Sequence, residues 1–280
     1  MIQKFTSPSQ KSTLAKKIAF ENIFLPEIKA YFKVIRTDFE VFYSSTGQAI
    51  SMEEYRDITL ALIKKQYNRV SKVFKYDLRK NEKKQDETQE QGEDRLISTA
   101  IIFFILTEAK KTTDFILQTN AKNITEAIGK ARVVLFEKGI PETKQAIAKE
   151  ASAILKDKFE GRTQTIAITE TQLPAEASKQ IEANVLAGEQ ALDDFQMEGL
   201  AVGGVIVIEK ANKTWRARMN EVTRPWHARA DGQTVRLNQP YIVDNEYLKF
   251  PRDASLGATA KNIANCYCDS KIEIIRNLLD

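Results

Sequence analysis

Phe20, Ile23, Phe24, Ile28, Tyr31, Phe32 and Ile35 recur at intervals of three and four, a spacing that lays one apolar stripe along a helix. Tyr55, Ile58, Leu62, Val70, Val73 and Phe74 form a second stripe, and Ile124, Ala127, Ile128, Ala131 and Leu135 a third. Pro26 falls inside the first stripe and is expected to kink that helix or to start a second segment. Between the first two stripes, Tyr43 to Gly47 is expected to be a loop. Ser51 ahead of Glu53 and Glu54 has the form of a helix cap with acidic residues in the first turn. A buried helix is expected from about Arg95, and another opens at Pro141 after Gly139. Residues 1–80 thus read as a basic helical region and 95–200 as a helical bundle with short connections.

Lys80 to Asp94 contains no apolar residue and cannot offset the entropy of packing, so residues 81–94 are expected to be a charged, exposed linker. Beyond residue 200 the texture changes. Val202, Val205, Ile206, Val207 and Ile208 are β-branched, Lys210 to Lys213 is polar and turn-like, and Thr214 to Arg218 alternates. A hairpin is the expected result. Gly232, Pro240, Pro251 and Gly257 punctuate the rest, and Asp269 to Ile275 alternates again. The predicted fold class is α+β, a mostly helical N-terminal two thirds followed by a small, turn-rich C-terminal module of short antiparallel strands over 201–280.

Two cysteines in 280 residues cannot build a disulfide framework, and no apolar leader follows Met1, so the protein is expected to be made and kept in the cytosol. The run Leu96 to Leu106 is too short to cross a bilayer as a helix, which excludes a membrane partner from the reading. The net charge of +4 is uneven: residues 1–80 carry 15 Lys and Arg against 8 Asp and Glu, and the remainder 27 against 30. Such a basic excess steers toward an anionic partner, with double-stranded DNA the candidate.

The single histidine, His227, and the only cysteines, Cys266 and Cys268, fall together in the C-terminal module. Residues two apart on a strand face the same side, so both thiols can converge on one point. Two readings follow: small thiols packed in a core beside a hydrogen-bonded histidine, or a structural zinc site completed by Asp231 or Asp269.

The wider pattern is more specific. Trp215-Arg216-Ala217, Glu221-Val222-Thr223-Arg224, His227, Asp231-Gly232-Gln233, Pro240-Tyr241-Ile242-Val243, Leu248-Lys249-Phe250-Pro251, Asp253 and Asn265-Cys266-Tyr267-Cys268 together resemble the signature of the phage Mu F-like minor head protein family, also called the head morphogenesis family. Upstream, Arg162 with Thr165 to Thr169 and Glu170 resembles the helical segment that precedes this signature, so the likeness runs from about residue 125 to 275. Tyr267 stands where that family usually has Arg, Asn220 where Asp is common, and Ile168 where Arg is usual.

The resemblance implies a non-enzymatic minor structural protein of a tailed-phage head. It would sit at or near the portal vertex, act in head morphogenesis and in DNA packaging or release, and reside in host cytoplasm during assembly. Implied partners are the portal protein, scaffold or major capsid protein, and the packaged duplex; no small-molecule cofactor is implied. Under this reading Trp215 and Trp226 are apolar anchors, Asp231-Gly232 forms a turn, and Arg224 pairs with Asp253. Arg162 and Glu170 would link the helical part to the module. The alternatives are a general DNA-binding module or a metal-dependent nuclease, with His227 as general base, Asp231 as its orienting partner or a metal ligand, and Arg224 as a phosphate clamp.

Overall fold

The computed structural model describes residues 8–75, 78, 87–187, 210–221 and 223–275. Four long helices come first: α1 Pro8–Thr46, α2 Arg56–Phe74, α3 Glu87–Glu137 and α4 Lys144–Leu186. Short elements follow: β1 Lys210–Arg216, α5 Pro225–Ala230, β2 Thr234–Arg236, β3 Tyr241–Val243, β4 Glu246–Leu248, α6 Ala260–Ile263 and β5 Asp269–Ile275. The class is α+β, as the change in residue pattern predicts. No helix is long and apolar enough to cross a membrane among the described residues.

The chain divides into two compact units, each discontinuous in sequence. The boundaries expected from the sequence, in contrast, cut it into consecutive segments. One unit comprises Ala19–Gln66 and Thr107–Ala167 and is entirely helical apart from its turns. Its core follows the first and third stripes: Phe24, Ile28, Phe32, Ile35 and Phe39 from α1, with Ala127, Ala131, Leu135, Leu155 and Phe159, are all buried. Phe32 and Phe159 stack with ring centroids 4.5 Å apart. A polar chain runs through this core. Tyr31 and Thr59 share a hydrogen bond of 2.7 Å, Asn120 Nδ2 donates to the Tyr31 hydroxyl at 3.5 Å, and Arg162 Nη1 donates to Asn120 Oδ1. The Arg162 guanidinium also lies over the Phe32 ring.

The other unit comprises Met1–Ile18, Tyr67–Leu106 and Ile168–Asp280. β1 is the centre of its antiparallel sheet, flanked by β2 and β5 in the order β2-β1-β5. Trp215 lies opposite Ser270, and Thr214 opposite both Lys271 and Thr234. β3 and β4 form a separate hairpin, turned by Asp244 and Asn245, both with positive φ; two such residues give the turn whose twist matches its strands. Trp215, Ala217, Ala230, Tyr241, Val243, Leu248, Ala258, Cys266 and Cys268 make one core cluster. Trp215 is completely buried and meets the Tyr241 ring edge-on at 5.3 Å.

Several local expectations change. Pro26 lies inside an uninterrupted α1; the cost of an interior proline, about 3 kcal/mol, is offset by the burial of Phe24, Ile28 and Phe32 around it. α1 also continues through Tyr43 to Thr46, so only Gly47, at φ +78°, leaves the helix there. The two helices expected within 95–135 are one, and it takes in residues 87–94 of the expected linker. Glu and Gln lose little rotamer freedom in a helix, so the polar stretch extends the apolar one behind it. Residues 81–86 of that linker, and Val202 to Ile208 of the expected hairpin, lie outside the described residues. Lys210 to Lys213 is the first half of β1 rather than a turn. Ser51 does cap, its hydroxyl accepting from Glu53 N.

Candidate metal centre

His227 is carried by α5, a helix of six residues that begins at Pro225 with Arg224 in extended backbone before it. Proline at this position fixes the first helical φ, and the third residue of the turn then points inward. The cysteines lie just before β5, where the chain leaves α6. His227, Cys266 and Cys268 are each 2% exposed. The imidazole is edge-on to Trp215 at 5.6 Å and to Trp226 at 6.4 Å, so two indoles fix its plane.

His227 Nδ1 stands 3.5 Å from Cys266 Sγ and 3.4 Å from Cys268 Sγ, and the three donor atoms all lie within 4.8 Å of one another. Zinc bonds of about 2.3 Å to sulfur and 2.0–2.1 Å to nitrogen, at a tetrahedral angle, put N and S about 3.5 Å apart. The three side chains are therefore spaced as ligands of a tetrahedral ion. Among the described residues this is the one cluster of His, Cys, Asp or Glu with that property.

The tautomer is set from behind. Asn262, fully buried in α6, donates from Nδ2 to Val243 O at 3.1 Å and to Glu246 Oε2 at 2.7 Å. Its Oδ1 is left to face His227 Nε2 at 3.2 Å. Nε2 therefore carries the proton, and the Nδ1 lone pair faces the sulfurs, the form a metal requires. Glu246 is fixed in turn by Thr259, whose N–H and hydroxyl both donate to its carboxylate.

The thiols are unequal. Burial raises the Cys266 thiol, but the hydrogen bond from Cys268 and the nearby Arg252 guanidinium oppose it and hold Cys266 well below the usual thiol range. Cys268, donating to Cys266 and itself buried, is pushed well above that range. A cation bound here would displace the thiol protons as it takes both sulfurs.

Arg252 supports this arrangement. Only 2% exposed, it donates from Nη2 to Cys266 O and from Nη1 to Ile168 O at 3.2 Å. Its backbone φ of +78° is a conformation L-residues avoid, held here by those two buried bonds. A cavity of about 10 Å³ lies beside the three ligands, walled by Arg218, Thr223 and Arg224 and rimmed by the exposed Asn220 and Asn265. The Arg218 guanidinium stacks over the Tyr267 ring at 4.8 Å, in the place where the family resemblance would have put a second arginine.

Other expected site residues fall elsewhere. Asp231 does not join the cluster: its Oδ1 accepts from Ala217 N at 2.8 Å, closing the turn in which Gly232 has φ +79°. Nor does Asp269, which lies with Lys17, Lys179 and Glu176. The expected Arg224–Asp253 pair is absent among the described residues. Arg224 Nη2 donates to Ala264 O at 2.7 Å, and the Asp253 carboxylate accepts from Lys249 N and Ser255 N after the buried Pro251. His227 is oriented by Asn262, not by an aspartate.

Arg162 and Glu170, expected to form a link, have different hydrogen-bond partners. Arg162 belongs to the all-helical unit, whereas the buried Glu170, one residue after the half-buried Thr169, accepts from the Tyr67 hydroxyl at 2.5 Å. The tie between α4 and the C-terminal strands is made by residues the pattern did not single out. Glu176 accepts from Ser270 N at 3.0 Å, and Gln180 donates to Leu237 O at 3.3 Å. Around Glu176, Lys17 Nζ lies at 2.5 Å and Lys179 Nζ at 2.8 Å, while both lysines also reach Asp269. Burial raises the Glu176 carboxyl, and the Asp269 charge adds to it; burial likewise opposes ionisation of Asp269, but Lys179 and Lys17 outweigh it and depress that carboxyl.

No family model, curated protein or solved structure matches the chain.

Proposed function

We propose that the chain is a minor structural protein of a tailed-phage head, at or near the portal vertex. Its C-terminal module serves as a rigid docking piece pinned by a structural zinc ion on His227, Cys266 and Cys268. The observation that carries this reading is what the signature residues do in the fold. Trp215, Cys266 and Cys268 share one core cluster, Asp231 and Arg224 each tie a turn to the backbone, and His227 presents its free nitrogen to two sulfurs. Residues spent on holding turns are what a small module with little apolar surface needs.

The zinc would supply cross-linking between α5 and the approach to β5, with Asn262 and Glu246 fixing the imidazole behind it. A metal-dependent nuclease needs, besides the metal, a general base beside the attacking water. Among the described residues no Asp or Glu lines the cavity at the three ligands, which favours attachment over hydrolysis. The basic excess of residues 1–80 supports duplex DNA as a partner; the portal protein, and scaffold or major capsid protein during head assembly, are the partners that the family resemblance implies.

Mass spectrometry of purified particles tests the assignment: the chain should be present at a few copies per head. Its absence from particles, or duplex cleavage by the purified protein supplied with divalent ions, would contradict the reading.

A further inference from the structure

Three donors do not complete a tetrahedral ion. The cavity beside His227, Cys266 and Cys268 has a volume of about 10 Å³, the space of a single water. Among the described residues no Asp or Glu lines it, and the two aspartates close in sequence are engaged elsewhere, Asp231 with Ala217 N and Asp269 with Lys179. The chain therefore offers no anionic fourth ligand at this position among its described residues.

Charge makes the fourth position selective. A divalent ion with two thiolates and a neutral imidazole carries no net charge, yet Arg218 and Arg224 both line the cavity and the Arg252 guanidinium sits against the Cys266 carbonyl. Arg218 is held by the Tyr267 ring and Arg224 by the Ala264 carbonyl, contacts that fix both side chains and neutralise neither. A preorganised pair of guanidiniums beside a metal favours an oxygen anion, and a carboxylate above other ligands of one-atom reach.

We propose that the fourth ligand is an oxygen atom from outside the chain: a water that a carboxylate oxygen displaces, drawn by Arg218 and Arg224 past the exposed rim at Asn220 and Asn265. The proposal rests on the zinc reading above and gives the docking module a chemical preference for a carboxylate. No bond other than the metal–oxygen bond changes; the water leaves as the carboxylate oxygen arrives.

The full-length protein loaded with Co²⁺ in place of zinc provides the test, with acetate as the probe and perchlorate holding ionic strength constant. Acetate should change the visible d–d bands saturably. Arg224→Gln should weaken the acetate response about fivefold, the effect of losing one partly exposed charge pair, without changing cobalt stoichiometry. Arg218→Gln should do the same, and serves if the Arg224 variant does not fold. A thiolate-to-cobalt charge-transfer band with d–d bands indifferent to acetate would overturn the exogenous-ligand proposal and leave the metal site standing. Absence of the charge-transfer band would remove the metal site itself.

Discussion

Asn262 decides which nitrogen of His227 is available. Both of its amide hydrogens are taken by Val243 and Glu246, so its oxygen must meet the ring. Asn262→Leu keeps the volume and removes that control; zinc affinity should fall about 10- to 100-fold, measured by competition with a chromophoric chelator, and Glu246→Gln should fall less because its amide oxygen can still accept. Unchanged affinity in the Leu variant would show the imidazole to be oriented by packing alone. The ligands were legible because they are rare: one histidine and two cysteines in 280 residues, two of them at strand spacing. Asn262 and Arg252 were not, since nothing in residue type or spacing announces that a polar side chain will be buried. Arg252 lies between Pro251 and Asp253, both in the recognised pattern, and only its positive φ and its bonds to two carbonyls reveal its role.

At the scale of elements, the stripes of α1 and α3 match their buried residues except at Ile23, which is 48% exposed. The stripe read for α2 does not hold, since Ile58 is exposed and Thr59, Ile63, Gln66 and Tyr67 face inward, and the helix expected to be buried from Arg95 exposes Ile102, Phe103 and Leu106. The second half of α4 was not legible. Ala175, Glu176, Ala177, Ser178, Lys179, Gln180, Ile181, Glu182 and Ala183 are all buried, so the segment has no solvent face and no period to read. Glu182 accepts from Leu78 N at 3.0 Å, and Glu176 and Lys179 are tolerated because they balance Lys17 and Asp269. Removing one member leaves an uncompensated charge, and Glu176→Gln should destabilise by about 3–5 kcal/mol, followed as the shift in thermal midpoint. The double variant Lys17→Met with Glu176→Leu should recover most of that loss, because a packed apolar pair replaces ions whose desolvation is costly. If the double variant is worse than either single, the quartet stabilises the fold outright. Strand positions were legible where alternation is strict, as in β5. They failed at Lys210 to Lys213, where the buried Lys213 disguises the pattern: its ammonium donates to Lys249 O at 2.5 Å and lies 5.3 Å from the centre of the Tyr241 ring.

For the molecule as a whole, the proposed metal and the proposed DNA partner are the two handles. Stripping zinc with a chelator should lower the thermal midpoint by about 10 °C, the effect of about 4 kcal/mol of linked binding at a thousandfold excess over Kd. His227→Ala should show the lower midpoint with or without chelator. Duplex DNA binding, if it uses the basic first 80 residues, should weaken with salt on a log–log slope of about −3 or steeper, as for release of several counterions. A flat dependence would detach the charge asymmetry from DNA. The most direct measurement is an asymmetric cryo-EM reconstruction of the particle. Density for the module of β1 to β5 should stand against the portal, with the His227–Cys266–Cys268 corner ordered. A portal vertex fully accounted for by other chains would contradict a docking role.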